Sequence, residues 1–205
     1  MSNIADSKEV LVAVIHFLHQ QGWAPATSSN YSFREKARTN FYISESGIDK
    51  GAFSEQHLLL VNTEGKPIND NRLPSAETAL HCLIYQLYPE TTCVLHTHSV
   101  LNTILSQYFL PQKALFLADY EILKGFSGIK THQIQVKIPI FENTQDIPAL
   151  AQAIAASAQN EPMKAFLIAG HGMYTWGATI ADAKRHVEVM EFLLACEYNK
   201  LILSK

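Results

Sequence analysis

The chain has 205 residues, 47% of them hydrophobic and 17% charged, with 16 Lys and Arg against 19 Asp and Glu for a formal net charge of -3. That length buries a core without staples and suits one domain, residues 1–205, while the mildly acidic balance and the lack of any Lys/Arg-rich block exclude a basic nucleic-acid footprint. No apolar run approaches the about 20 residues that a membrane span needs, and Met1–Asp6 has neither the basic start nor the apolar core of a secretory signal. From Ser7 to Gln21, Val10, Leu11, Val14, Ile15 and Leu18 recur at helical spacing, with Asp6 or Ser7 as cap and Gly22 as stop. A polar loop, Thr27-Ser28-Ser29-Asn30, precedes short extended segments at 31–33 and 41–43, the second followed by a turn at Ser46-Gly47. Leu58–Val61 is an apolar strand. Ser75 is placed to cap a helix whose inner face carries Ala79, Leu80, Leu83, Ile84 and Leu87 and which Pro89 ends.

Thr92–Thr97 reads as a buried strand, and Ser99 as the cap of a helix reaching Tyr108. Ala114–Leu117 and Gln133–Ile138 follow as extended segments, with Ile134, Val136 and Ile138 on one face. Pro148 opens an Ala-rich helix to about Ala158, Lys164–Ala169 and Met173–Trp176 are strands, and Ile180–Leu203 is a long final helix. With no linker, low-complexity tract or repeat, the economical reading is one mixed α/β domain. Cys82, Cys93 and Cys196 are widely separated and form no C-x-x-C pair, which suggests neither a disulfide framework nor a thiolate zinc site and fits a reducing cytoplasm.

The chemistry concentrates in histidines. His96-Thr97-His98 closes an apolar strand, where alternation sends both imidazoles to one face as a ready chelate. Taken alone, the pair also admits one core histidine and one surface histidine. A third, His171, again follows an apolar strand and stands between Gly170 and Gly172, where the loop must be tightly shaped. Three neutral imidazoles leaving open positions are what a catalytic zinc ion takes, so His96, His98 and His171 form the candidate ligand set.

Among carboxylates, Glu121 stands between apolar residues and a glycine turn; its two readings are a general acid or base with a raised pKa and an exposed helix residue. Glu77, just after Ser75, has an equally plain reading as an acid complementing a helix dipole. Phosphate binding without a basic patch needs backbone N–H groups and hydroxyls. Ser28, Ser29 and Asn30, Ser46 and Gly47, and Ser75 with Thr78 offer them, and Lys50 and Lys124 could add charge, although both also read as ordinary surface lysines. Phe116, Tyr120 and Trp176 are candidate apolar walls or plain core.

Read in order, Gly22-Trp23 with Thr27–Ser32, Ser46-Gly47, Pro74-Ser75-x-Glu77, His96-Thr-His98 and Gly170-His171-Gly172 resemble the class II aldolase/adducin head family. The resemblance covers nearly the whole chain, from Gly22 to the final helix. It implies a three-layer α/β/α sandwich around a mixed, mostly antiparallel central sheet. It also implies one Zn2+ per subunit on His96, His98 and His171, a small phosphorylated ketose as substrate, and a homotetramer with sites near subunit interfaces. Within the family, Glu121-x-x-Lys124-Gly125 and Pro139–Thr144 resemble the members that remove water from such a ketose, and Glu121 then holds the position of the catalytic acid/base. Glu77 matches a glutamate that sugar-phosphate aldolases of the family use as a metal contact and base; fourth ligand, supporting residue and structural remnant stay open for it. An aldolase or epimerase on the same scaffold, and a metal-free adducin-like interaction module, are the competing readings.

Overall fold

Along Cys93–Thr97 and Gly172–Gly177 every residue is buried, which a sheet open to water on one face does not allow. The computed structural model, which describes residues 4–36 and 38–204, shows these segments as adjacent central strands covered on both sides. In chain order its elements are α1 (Ile4–Gln20), β1 (Asn30–Phe33), β2 (Phe41–Ser44), β3 (Leu58–Val61), α2 (Thr78–Leu87), β4 (Cys93–Thr97) and α3 (Val100–Tyr108), followed by β5 (Ala114–Ala118), β6 (Gln135–Phe141), α4 (Ile147–Asn160), β7 (Ala165–Ile168), β8 (Gly172–Gly177) and α5 (Ile180–Leu203). The strands form one sheet in the order β3-β2-β1-β4-β8-β7-β6-β5. All neighbours are antiparallel except β6 and β7, which run parallel.

Alternation along the central strands builds two cores. Leu95 and Met173 face one side and pack with Leu11, Ile15 and Leu18 of α1 and with Val187, Met190 and Leu194 of α5. Val94, Tyr174 and Trp176 face the other and pack with Leu80 and Ile84 of α2 and Leu150 and Ile154 of α4. The result is the three-layer α/β/α sandwich that the resemblance implied, and His96, in register with Tyr174, faces the α2/α4 side.

Several local expectations need correction. The first helix already includes Ile4, so Asp6 lies in its first turn rather than capping it. Ser75 does not cap α2: its N–H donates to the Ser44 carbonyl at 3.3 Å, and Pro74 bridges Glu45. The sheet therefore keeps this backbone extended and the helix waits until Thr78. Ala79 is exposed, and its place on the inner face is taken by His81, which is fully buried. Ile134 falls outside β6 and is 40% exposed. Ser99 does cap α3, its Oγ accepting from the Asn102 N–H at 3.1 Å while Asn102 Oδ1 accepts from the Ser99 N–H. The three cysteines are free, and no helix among the described residues is long and apolar enough to cross a membrane.

Candidate metal centre

Strand β4 carries His96 into the sheet interior, where its ring stacks on Tyr174 with centroids 4.1 Å apart. Its Nδ1 is 3.0 Å from the Met173 carbonyl, a contact that needs a proton on Nδ1 and turns Nε2 toward Glu77. His98 stands just past the strand end, its N–H donating to the Trp23 carbonyl at 2.8 Å and its Nε2 lying 2.7 Å from His96 Nε2. His171 rides the turn from β7 to β8. Gly170 takes the turn with φ +65°, and a Cβ on Gly172 would meet the Thr97 carbonyl at 2.5 Å and the His96 ring at 2.7 Å. Only a bare α-carbon lets that turn lie against the end of β4.

Glu77, at the start of α2, completes the group. Its Oε2 is 3.1 Å from His96 Nε2 and its Oε1 is 3.2 Å from His171 Nε2; one ligand atom from each of the four residues falls within 4.8 Å of the others. The carboxylate of Glu77 therefore lies among the three histidines.

The electrostatics suit a cation. Burial, then the neighbouring His96 and His171, push His98 down to about 3, and burial lowers His171 as well. Burial acts to raise the Glu77 carboxyl, but His96, His171 and a hydrogen bond from Asn30 outweigh it and hold the group well below the usual carboxylate range. Imidazole lone pairs and an ionised carboxylate are the states that a divalent cation of the zinc type binds. The three-nitrogen, one-carboxylate donor set thus fits a metal, and Glu77, His96, His98 and His171 would hold it.

A buried chain supports the carboxylate. Asn30 Nδ2 donates to Glu77 Oε2 at 2.7 Å, His81 Nε2 lies 2.5 Å from Asn30 Oδ1, and Ser32 Oγ joins His81 Nδ1 at 2.7 Å to the Tyr85 hydroxyl at 2.8 Å. Sequence reasoning missed His81, although it stands one helical turn after Glu77 on the same face. On the opposite core, Asn102 Nδ2 donates to the Thr97 carbonyl and to Glu191 Oε1, both at 3.3 Å, and burial pushes the Glu191 carboxyl up to about 7.

Glu77, His98 and His171 border a cavity of about 410 Å³. Its wall includes Ser28, Ser29, Asn30, Ser46, Gly47 and Ser75, so three polar segments remote in sequence meet at one place. Ser29 and Gly47 both have positive φ, 71° and 75°. Thr78 is not in the wall: it is buried beneath, its Oγ1 donating to the Ser75 carbonyl at 2.6 Å. Asn143, Thr144 and Gln145, missed as site residues, close the cavity from the β6–α4 connection. They were readable as a polar turn before a helix, but no local signal says which cavity such a turn joins.

Glu121 lies elsewhere. It is exposed on a short 3-10 turn, pairs with Lys124, lies with its Oε2 3.2 Å from His132 Nδ1, and is not in the cavity wall. The Lys124 hydrogen bond leads in holding its carboxyl below the usual range, which is the exposed reading rather than the raised-pKa one. Of the candidate apolar walls, Trp176 is core stacked on Tyr88, Phe116 is 49% exposed, and the Tyr120 hydroxyl donates to Glu197 Oε1 at 2.7 Å.

Comparison with known proteins gives a coherent set of matches. The model of the class II aldolase and adducin N-terminal domain matches residues 9–198. A methylthioribulose-1-phosphate dehydratase of Picosynechococcus sp. is 47% identical over 199 residues, covering 96% of this chain and 93% of the relative. One of Yersinia enterocolitica serotype O:8 is 46% identical over 195 residues, covering 95% and 92%. Among solved structures, an L-fuculose 1-phosphate aldolase superposes with a TM-score of 0.81 at 20% identity, over 100% of this chain and 90% of that one. The L-fuculose-1-phosphate aldolase of Thermus thermophilus gives 0.76 at 22%, over 98% of each; at these identities the likeness concerns the fold alone.

Proposed function

Because the chain belongs to the class II aldolase and adducin N-terminal domain family, we propose that it dehydrates 5-methylthioribulose 1-phosphate to 2,3-diketo-5-methylthiopentyl 1-phosphate, a step of methionine salvage. The observation that carries this reading is the convergence of His96, His98, His171 and Glu77 beside a cavity walled by hydroxyls and glycine. A metal-free interaction module has no use for such a donor set. The full-length relatives at 46–47% identity favour dehydration over aldol cleavage, since the fold and the ligands serve either.

Zinc, one per subunit, is the cation assigned, imidazole being among its preferred donors. When bound, it supplies Lewis-acid polarisation of the substrate's carbonyl. The protein's own groups do the rest. Hydroxyls and amides of Ser28, Ser29, Ser46, Gly47 and Ser75 hold the phosphate, and Asn30 keeps Glu77 turned toward the histidines. Glu121 takes the proton from C3 and returns a proton as the C4 hydroxyl leaves as water; the electron pair of the C3–H bond becomes the C3–C4 double bond, and the enol so formed tautomerises to the diketone.

Glu121 is outside the cavity wall of its own chain, so this role assigns it to a cavity of a neighbouring copy. A homotetramer supplies such copies, and Val100, Ile104 and Tyr108 of α3 with Phe116 offer exposed apolar surface for assembly. A reducing cytoplasm suits the three free cysteines. The test is a side-by-side assay of the metal-loaded protein with methylthioribulose 1-phosphate, fuculose 1-phosphate and ribulose 5-phosphate. Diketone formation from the first alone is expected; comparable cleavage or epimerisation of either other sugar phosphate overturns the assignment.

A further inference from the structure

Lys50 reads in the sequence as an ordinary surface lysine, but its side chain is buried, with a relative exposure of 1%. The ammonium donates to two backbone carbonyls, Thr27 at 3.2 Å and Ile48 at 2.8 Å. It forms no ion pair with any carboxylate among the described residues. Asp49, next to it in sequence, favours the charged form without pairing with it; burying an ammonium with no contacting counter-ion is costly, and an apolar chain of similar length would avoid that cost. The two carbonyls are informative: Thr27 opens the loop that presents Ser28, Ser29 and Asn30, and Ile48 directly follows Ser46-Gly47. These are two of the polar segments in the cavity wall. That wall contains no lysine or arginine, and its acidic members are Glu45 and Glu77. Arg72, the cation paired with Glu45 at 3.1 Å, also holds Asp70 and is not in the wall.

We propose that Lys50 is the positioning residue of the phosphate subsite, clamping its two loops from beneath and supplying the positive charge that lets a wall of hydroxyls and amides hold a phosphate dianion. The proposal rests on the reading of the substrate as a phosphorylated ketose. Burial lowers the Lys50 ammonium to about 8, which leaves it mostly protonated at neutral pH. Held by the carbonyls of Thr27 and Ile48, the cation underlies the cavity without entering its wall.

The test compares wild type with Lys50→Met and Lys50→Gln in phosphate-free buffer. It reads kcat and KM for methylthioribulose 1-phosphate, the inhibition constant of inorganic phosphate, metal content and thermal unfolding. Both variants are expected to fold and to retain metal, with KM and the phosphate inhibition constant rising about tenfold or more while kcat changes by less than about threefold. An unchanged phosphate inhibition constant in either folded variant overturns the proposal, as does a fall in kcat with KM unmoved, which would mark Lys50 as a scaffold for the chemistry rather than for the anion. Lys50→Gln keeps an N–H donor for one carbonyl and carries the test if Lys50→Met unfolds; collapse of both makes the role purely structural and also overturns it. A wild type that neither turns over the substrate nor is inhibited by phosphate locates the failure in the functional reading instead, and the subsite falls with it.

Discussion

Replacing His81 by Leu tests the buried chain behind the metal centre through its pH dependence. His81 is fully buried, and burial foremost pushes it down to about 3. Neutral in the fold, it donates through Nε2 to Asn30 Oδ1 and accepts at Nδ1 from the Ser32 hydroxyl. Leucine removes both bonds. Ser32 keeps its contact with the Tyr85 hydroxyl, so the main loss is the stranded Asn30 carbonyl oxygen, worth about 2 kcal/mol. At pH 8 His81 is neutral folded and unfolded, and the variant should be less stable by about that amount.

Acidification adds a proton at position 81 in the wild type alone, the other histidines being common to both proteins. Its folded pKa lies below the unfolded value near 6.5, so between about pH 6.5 and 3 the unfolded chain binds the extra proton and stability falls as pH falls, by about 1.4 kcal/mol per unit. Near pH 5 that loss amounts to about 2 kcal/mol, and the two proteins should be equally stable there. Urea unfolding of the metal-stripped proteins at pH 8, 6.5 and 5 measures the gap. A gap that stays constant or widens on acidification refutes the assignment of a neutral, doubly bonded His81. The same substitution loosens Asn30 and through it Glu77, so metal affinity should drop about tenfold at pH 8; unchanged affinity would confine the chain to a packing role.

Glu121→Gln should lower dehydration about 100-fold while metal content stays at the wild-type level, and near-normal turnover removes Glu121 from its proton-transfer role. Glu191→Gln should stabilise the protein above pH 7. The folded carboxyl is raised to about 7, so its contribution is present below the unfolded pKa near 4.5 and is lost as pH rises through 7, leaving a gain for the amide of about 3 kcal/mol at pH 8 that vanishes near pH 4.5. Unfolding curves at those two pH values check it, and a pH-independent difference contradicts it. Gly172→Ala places a methyl 2.5 Å from the Thr97 carbonyl, so the His171 turn must shift and metal affinity should fall at least about tenfold, read by competition with a chelating dye; unaltered affinity means the close approach is not required.

The strands and most helices were legible because burial on two faces writes near-continuous apolar runs, as at Leu58–Val61 and Cys93–Thr97. The histidines were legible because strand ends and flanking glycines are local signals. What escaped depends on contacts far apart in sequence. Ser75 looks like a cap until β2 takes its N–H through Ser44, and Lys50 looks solvated until the carbonyls of Thr27 and Ile48 enclose it. Glu77 looks like a dipole complement until α2 docks it against His96 and His171. Glu121 shows the converse: its local sequence admitted both an exposed residue and a raised-pKa acid, and its apolar neighbours turn inward on a 3-10 turn that leaves the carboxylate in water.

Elemental analysis of the purified, metal-loaded protein beside His96→Ala and His171→Ala addresses the shared site most directly. Four donors converging from α2, β4 and the β7–β8 turn predict one divalent ion per wild-type chain and almost none in either variant. A wild type that takes up no metal, or a variant that keeps a full equivalent, contradicts the account.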